Sequence, residues 1–116
     1  MAKFTLVLRG EADALTKLSP AEMQAVVARY GAWSTALRDA SNLAGSQKLR
    51  DGSGRLVRRS SSDVMVSDGP YAEGKEVIGG LFVLEVDDYD AAVAIAKTCP
   101  HLEFGSIEVR EVEIFR

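Results

Sequence analysis

The chain has 116 residues, of which 47% are hydrophobic and 27% charged, and its formal net charge is −3 at pH 7. This length and composition predict a single compact, soluble domain over residues 1–116. The negative net charge argues against direct binding to nucleic acid, whose backbone requires a positive field. The single cysteine, Cys99, excludes an internal disulfide, residues 1–9 lack the apolar core of a signal peptide, and no segment has the pattern of a membrane span. We therefore expect a cytoplasmic protein that does not enter a membrane.

A strand and a helix are predicted at the start of the chain. Phe4, Leu6 and Leu8 alternate with residues 3, 5, 7 and 9, which is the period of a strand with one apolar face. The Ser-Pro-Ala-Glu segment at residues 19–22 is a helix start, because Ser caps a free amide, Pro suits the first turn and Glu completes a capping box. These signals predict a helix over residues 19–41.

The apolar residues of this helix form one stripe. They recur at helical spacing: Met23, Val26, Val27, Tyr30, Trp33 and Leu37. The stripe predicts that Tyr30 and Trp33 pack into the core. Asn42 tolerates the left-handed conformation and is predicted to end the helix.

Short strands are predicted in the next part of the chain. Three segments have strand-like patterns: residues 45–49, 55–59 and 64–67. They are separated by Asp-Gly-Ser-Gly at residues 51–54 and by serines at residues 60–62. Because Asp-Gly is a standard hairpin signal, the pattern predicts a meander of adjacent strands.

The second half of the chain contains a strand and a second helix. Residues 81–86 are almost continuously apolar, which predicts a strand covered on both faces. Residues 88–99 are predicted to form a helix that Pro100 ends. The buried stripe of this helix consists of Ala92, Ile95, Ala96 and Cys99.

Residues 106–115 have the pattern of a last strand, but its phase changes. Ile107 and Val109 share one face, whereas Val112 and Ile114 lie on the other. Such a change indicates either a bulge near Arg110 or a strand end that packs against a different surface.

The order of these elements, β-α-β(β)-β-α-β, is the split βαβ arrangement. It predicts an α+β fold of ferredoxin-like type, with both helices on one face of the sheet. The strand at residues 81–86 requires cover on both faces, and two helices can cover only one. A second copy of the same sheet supplies that cover most simply, so we expect a homodimer with a barrel-like interior.

The segment at residues 68–80, Asp-Gly-Pro-Tyr-Ala-Glu-Gly-Lys-Glu-Val-Ile-Gly-Gly, is unusually dense in polar chemistry. Ordering such a loop costs chain entropy, so either packing or a site must fix it. The segment resembles the signature of the DGPF family, a branch of the YCII-related proteins, and the matches extend to residues 18–22 and 107–110. The resemblance implies a ferredoxin-like unit that pairs into a dimeric α/β barrel. It implies no particular reaction.

The chain departs from the family pattern at several positions. Gly74 stands where relatives carry Thr, and Glu111 where they carry Pro. For the wider YCII group, the resemblance implies a catalytic pair formed by a His on the first helix and an Asp after the second. Residues 19–41 contain no His and residue 99 is Cys, so that pair is not carried over.

Four residues of the 68–76 segment are candidates for a site. Asp68 is either a turn residue or a general base beside a cleft. Tyr71 either anchors the loop in the core or stacks on a ligand. Glu73 and Lys75, together with the neighbouring Glu76, form either an exposed ion-pair cluster or, if partly buried, a site with perturbed pKa values.

His101 is the only histidine, and histidine is the side chain that ordinarily titrates near neutral pH. It is a candidate acid–base catalyst, with a structural role at the end of the second helix as the alternative.

One His and one Cys argue against a zinc site, and no carboxylate spacing supports a hard cation. Gly79-Gly80 precedes a predicted strand, unlike a phosphate-binding loop. Neither a metal nor a cofactor is predicted.

Arg9 and Arg110 are predicted on central strands, facing away from the helices. In a dimeric barrel that face is interior, so each arginine requires a carboxylate partner or an anionic ligand. Glu108, two residues from Arg110, is the predicted structural partner. Both interpretations stay open, and Arg9 and Arg110 are candidate ligand-binding residues.

Two functions are consistent with these patterns. The first is an enzyme or binder of a small anionic or aromatic ligand, with a cleft formed by residues 68–76, His101 and the sheet face bearing Arg9 and Arg110. The second is a non-catalytic accessory or regulatory module, which the resemblance implies because DGPF proteins occur beside or fused to extracytoplasmic-function sigma factors. A pocket with converging polar groups favours the first function, and a shallow, filled interior favours the second.

Overall fold

The computed structural model describes residues 2–11, 14–69 and 76–115. Its strands are β1 (Ala2–Glu11), β2 (Leu43–Lys48), β3 (Arg55–Ser60), β4 (Asp63–Asp68), β5 (Glu76–Val86) and β6 (Gly105–Glu111). Its helices are α1 (Pro20–Asp39), α2 (Tyr89–Ala96) and a short 3₁₀ helix (Pro100–Glu103). None of the described helices is long and apolar enough to cross a membrane.

Four of the strands form one antiparallel sheet in the order β2-β5-β1-β6. The strands that flank α1 in sequence, β1 and β2, are therefore separated in space by β5, which is the split βαβ arrangement. This topology confirms the predicted α+β, ferredoxin-like fold.

The first helix begins as its sequence predicts and ends slightly earlier than expected. The Ser19 hydroxyl accepts a hydrogen bond from the Glu22 amide at 3.1 Å, and the Glu22 carboxylate accepts one from the Ser19 amide at 3.0 Å. The prediction that Asn42 adopts the left-handed conformation is wrong. The residue in that conformation at the end of α1 is Ser41, with a φ of 62°. The Asn42 amide instead donates to the Leu37 carbonyl at 2.9 Å, which closes the last turn.

Both helices pack on the same face of the sheet. The core there contains Phe4, Leu6 and Leu84, which are at most 1% exposed, together with residues of both helices, among them Leu37 and Ala92. Side chains alternate along a strand, so the intervening residues of β1 and β5 lie on the opposite face. This second face, which we call the open face, includes Thr5, Val7, Leu81 and Val83.

A bulge interrupts the pairing of the two central strands. Leu8 pairs with Gly80 but Arg9 pairs with Ile78, so Gly79 is an extra residue on β5. The strand predicted over residues 81–86 is accordingly part of a longer one that begins at Glu76.

The predicted meander is wrong in one respect. The second and third predicted strand segments do pair, as β3 and β4, but they form a separate two-stranded sheet. The Asp-Gly signal at residues 51–52 does not join neighbouring strands, because β2 pairs with β5 instead of β3. All of β4 is exposed, including Val66 at 63%.

The end of the chain differs from its prediction in two places. The second helix ends at Ala96, and Pro100 begins the 3₁₀ helix instead of ending α2. The last strand ends at Glu111, and its register with β1 is continuous through Arg110, so of the two predicted alternatives the bulge is wrong. The change of phase in the sequence marks a strand end, and the following Phe115 is 88% exposed.

Candidate functional site

A cavity of about 490 Å³ lies between the first half of α1 and the adjoining end of the sheet. Helix α1 supplies Met23, Val26, Val27, Tyr30 and Gly31, the strands supply Leu8, Gly10, Val77 and Phe82, and His101 and Phe104 close the side next to β6. Most of these side chains are apolar. The volume is that of a small-molecule site, for which roughly 300–1,000 Å³ is usual.

Two glycines leave the cavity open. A Cβ atom added to Gly31 on α1 or to Gly79 at the bulge would meet no atom within 4 Å, so the missing side chains account for part of the free space. Val27, predicted in the buried stripe of α1, is 61% exposed and lines the cavity instead. The helix therefore covers the sheet incompletely at this end.

His101 and Tyr30 form a hydrogen-bonded pair in the cavity wall. The Tyr30 hydroxyl lies 3.0 Å from Nδ1 of His101, and Nε2 of His101 lies 2.8 Å from the Arg9 carbonyl oxygen. A carbonyl oxygen only accepts hydrogen bonds, so Nε2 carries a proton. In the neutral imidazole, Nδ1 is then the acceptor, and the Tyr30 hydroxyl donates to it. The structure thus selects one tautomer of His101.

Partial burial controls the ionisation of the groups beside His101. Burial is the main cause that raises the pKa of Tyr30 to about 12, and the nearby Cys99 adds to it. Burial also raises the pKa of the Cys99 thiol, against the opposing effect of a hydrogen bond from the His101 backbone. At neutral pH the phenol and the thiol are both uncharged. Cys99 is 3% exposed, which confirms its predicted place in the interior.

Backbone packing positions the imidazole. A Cβ atom added to Gly10 would lie 3.7 Å from Cε1 of His101, and one added to Gly105 would lie 1.9 Å from the Arg9 carbonyl oxygen. Gly10 and Gly105 are paired across β1 and β6, so these strands approach closely where the carbonyl meets His101. An ion pair between Arg29 and Glu103, 2.6 Å long, also ties the 3₁₀ helix to α1.

The charged side chains in the described lining of the cavity lie near the strand ends. They are Glu11, Lys48 and Asp51, besides the ionisable His101. Lys48 and Asp51 form an ion pair at 2.9 Å. Because the single lysine is already paired, this lining does not offer the free positive charge that a multiply charged anion requires.

Arg9 and Arg110 are joined through Glu108, on the open face of the sheet. The Arg9 Nε donates to the Glu108 carboxylate at 3.0 Å, and Arg110 donates to its other oxygen at 3.1 Å. Arg9 foremost, and then Arg110, lower the pKa of Glu108 below 4.5. This contact confirms the predicted partnership of Glu108 with Arg110, and it adds Arg9.

The predicted cleft is not assembled as expected. Arg110 pairs with Thr5 on the open face, whereas the His101 ring lies in the cavity under α1 on the other side of the sheet. The reason is the alternation of β1: the Arg9 carbonyl binds His101, while the Arg9 side chain crosses to the open face. The sheet therefore separates the arginines from the histidine.

Asp68 lies at the end of β4, in the separate hairpin. Its side chain is 95% exposed and forms an ion pair with Arg55 at 3.6 Å. It is not among the described residues that line the cavity of His101. Three further candidates, Tyr71, Glu73 and Lys75, lie outside the described residues.

Sequence reasoning missed Tyr30 as a functional residue. Its place in the apolar stripe of α1 predicts core packing, and its ring does pack against the core. The hydroxyl nevertheless reaches a residue 71 positions away, and no local pattern in the sequence signals such a contact. Among the described residues, no group of three or more His, Cys, Asp or Glu is arranged to hold a metal ion.

Comparisons with known proteins identify a family and find similar chains among the solved structures. The sequence pattern of the YCII-related domain matches residues 2–116, and no curated protein matches the chain. Among solved structures, the chain is similar to the 5-chloro-2-hydroxyhydroquinone dehydrochlorinase TftG from Burkholderia phenoliruptrix AC1100, in complex with 2,5-dihydroxybenzoquinone. The identity is 14% and the TM-score 0.47, over 98% of this chain and 93% of that one. A likeness at this level carries no conclusion about ligand or reaction.

Proposed function

The chain belongs to the family of YCII-related domains, and we propose that it binds a small molecule in the cavity under α1, with Tyr30 and His101 as its polar contacts. The observation that carries this proposal is the hydrogen-bonded pair in the wall of a largely apolar cavity of about 490 Å³. An apolar pocket with a few converging polar groups is the usual form of a small-molecule site.

The lining favours an uncharged, partly apolar ligand over a strongly anionic one. Apolar side chains such as Leu8, Val26 and Phe82 gain from burying an aromatic or aliphatic body. The described charged lining has two carboxylates, Glu11 and Asp51, against one lysine. Of the ligands expected from the sequence, an aromatic molecule therefore fits this cavity better than a phosphate or polycarboxylate.

The same cavity argues against the accessory-module hypothesis. A module that acts only through protein contacts has no use for an apolar space between its helix and its sheet. Gly31 and Gly79, which keep that space open, are positions at which larger side chains would have filled the interior. The cavity therefore favours the small-molecule hypothesis.

We also propose a homodimer that pairs the open faces of two sheets. This face carries Val7, Leu81 and Val83 at its centre, and the described helices α1 and α2 lie on the other side. Burying these residues against a second copy removes apolar area from water. Glu108, held between two arginines, would then lie in a partly desolvated interior.

A panel of ligands tests the proposed function, with thermal unfolding and the fluorescence of Trp33 as readouts. Trp33 is the only tryptophan, and its ring centroid lies 4.9 Å from that of the cavity residue Phe82. We expect substituted phenols to raise the melting temperature and change the fluorescence more than benzoate, malonate or inorganic phosphate do.

Variants at neighbouring positions of α1 locate the binding site. Gly31→Leu fills the cavity, and the open space around Gly31 accommodates the new side chain. Ala32→Leu adds the same side chain at an exposed position that does not line the cavity. Binding should be lost in Gly31→Leu and kept in Ala32→Leu. If the two variants bind the phenols equally well, the ligand site lies elsewhere and the proposal is wrong.

A further inference from the structure

The hydrogen bonds of His101 determine what kind of ligand group the site accepts. In the neutral pair, the Nε2 proton is committed to the Arg9 carbonyl and the Tyr30 proton to Nδ1. The Tyr30 oxygen keeps acceptor capacity, and the pair has no further proton to donate. A ligand that contacts the neutral pair must therefore bring its own donor, an O–H or N–H group.

Building on the function proposed above, we propose that Tyr30 and His101 form a proton relay that deprotonates an acidic hydroxyl, of the phenol or enol class, on the bound ligand. The ligand O–H bond breaks as its proton passes to the Tyr30 oxygen. The original Tyr30 proton passes to Nδ1 of His101. The products are a ligand oxyanion, a neutral Tyr30 and a His101 imidazolium, so that atoms and charge balance without another reactant.

Proton transfer reverses the direction of the hydrogen bond between Tyr30 and His101, and the reversed hydrogen bond stabilises the ligand oxyanion. Once His101 is an imidazolium, both ring nitrogens donate, Nε2 to the Arg9 carbonyl and Nδ1 to the Tyr30 oxygen. Tyr30 is then free to direct its own proton at the new oxyanion. Charge-assisted hydrogen bonds of this kind are stronger than neutral ones, and more so where water is excluded.

The ionisable groups around His101 are compatible with this transfer. Tyr30 and Arg29 approach from α1, Cys99 precedes the 3₁₀ helix and Glu103 lies within it. Arg29 and Glu103 offset each other in their ion pair. Burial raises the pKa of both Tyr30 and Cys99, so Tyr30 passes a proton on without remaining a phenolate, and Cys99 does not compete as an anion.

The test uses 4-nitrophenol as the probe, because its phenolate absorbs at a different wavelength from the phenol. Its methyl ether, 4-nitroanisole, has a similar shape and no hydroxyl proton. A pH titration of the bound probe gives its apparent pKa. The relay predicts that this pKa lies about one unit or more below that of free 4-nitrophenol.

Two tyrosine variants distinguish the loss of the relay from a general effect of removing a tyrosine hydroxyl. Tyr30→Phe removes the hydroxyl that transmits the proton. Tyr89→Phe is the matched control, since the Tyr89 hydroxyl accepts a hydrogen bond from the Glu111 amide at 2.9 Å, away from the cavity. We expect the lowered pKa of the bound probe to persist in Tyr89→Phe and to be lost in Tyr30→Phe, which should still bind 4-nitroanisole.

Every other outcome contradicts the relay alone, or the relay together with the proposed binding function. If both probes bind but the pKa of 4-nitrophenol is unchanged or raised, the relay is wrong and the proposed binding function stands. The relay is equally wrong if Tyr30→Phe retains the full shift. If neither probe binds, the relay and the proposed binding of phenols in this cavity both fail. Should Tyr30→Phe not fold, the ¹⁵N spectrum of His101 in the unaltered protein decides, because the relay requires 4-nitrophenol, and not 4-nitroanisole, to protonate both ring nitrogens.

Discussion

The Tyr30 hydroxyl lies 3.0 Å from Nδ1 of His101, although 71 positions separate the two residues. The contact joins the middle of α1 to the 3₁₀ helix, next to the ion pair of Arg29 with Glu103. These contacts fix the position of α1 next to the 3₁₀ helix, while the space between the first half of α1 and the sheet stays open. A cavity with a defined polar group in its wall is the consequence.

The close approach of β1 and β6 beneath His101 makes Gly105 sensitive to substitution. A Cβ atom at Gly105 would lie 1.9 Å from the Arg9 carbonyl oxygen, so Gly105→Ala must move the strands apart. We expect a loss of about 1–3 kcal/mol in the free energy of unfolding, the usual cost of overpacking. Urea denaturation measures it. Gly45→Ala on β2 is the control, because nothing lies within 4 Å of its added Cβ; equal effects of the two substitutions would contradict the close approach of β1 and β6.

The cluster of Arg9, Glu108 and Arg110 predicts a stability that falls in acid. The arginines lower the pKa of Glu108, so the folded chain binds this proton less readily than the unfolded chain, for which 4.5 is the ordinary value. The stabilisation is complete above that value and is lost as the pH falls through the lowered pKa. Glu108→Gln should reduce stability at neutral pH and flatten its decline in acid.

Unfolding in urea over a series of pH values measures this effect. Glu85→Gln is the control, because the Glu85 carboxylate also belongs to the open face but has no hydrogen bond or ion pair within the described part of the chain. A Glu108→Gln variant whose pH profile follows that of the unaltered protein would show that the arginine contacts contribute no pH-dependent stability.

Asp68 is expected to have little influence on binding in the cavity. Its carboxylate is 95% exposed, and its partner Arg55 is 67% exposed, a setting in which ion pairs contribute little. Asp68→Asn should change the free energy of unfolding by less than about 0.5 kcal/mol and leave the response to phenols intact, as calorimetric titration can show. Loss of binding in this variant alone would restore Asp68 as a site residue.

The proposed dimer predicts a mass near twice the 12.5 kDa of the chain. Light scattering at micromolar concentration measures it. Leu81→Glu places a charge at the centre of the open face and should give monomers, because a buried unpaired carboxylate is costly. Val93→Glu on α2, a helix on the other side of the sheet, should leave the dimer intact. A stable monomer of the unaltered chain would overturn the proposed pairing.

Local signals explain which parts of the fold the sequence predicts. The start of α1 depends on residues three positions apart, Ser19 and Glu22, and the structure confirms it. Alternation along β6 likewise predicts the contact of Glu108 with Arg110. The separation of β3 and β4 from the main sheet is not predicted, because a strand pattern does not specify which neighbour the strand pairs with.

The site depends on relationships that a sequence does not carry. Alternation along β1 places the Arg9 side chain on the open face, yet the Arg9 carbonyl binds His101 on the other side. Gly31 and Gly79 both line the cavity, and a Cβ atom added to either would meet no atom within 4 Å, but isolated glycines in a helix or strand predict no such space. Tyr71, Glu73 and Lys75 stay predictions, since they lie outside the described residues.

The tautomer of His101 tests the proposed site most directly. His101 is the only histidine, so the long-range ¹H–¹⁵N spectrum of histidine-labelled protein needs no assignment. In the neutral form, we expect a proton on Nε2, bound to the Arg9 carbonyl, and an unprotonated Nδ1 that accepts from Tyr30. In Tyr30→Phe, the Nδ1 signal should move while the proton stays on Nε2. A proton on Nδ1, or signals averaged over both tautomers as in free histidine, would contradict the central claim that Tyr30 and Arg9 fix this imidazole in the cavity wall.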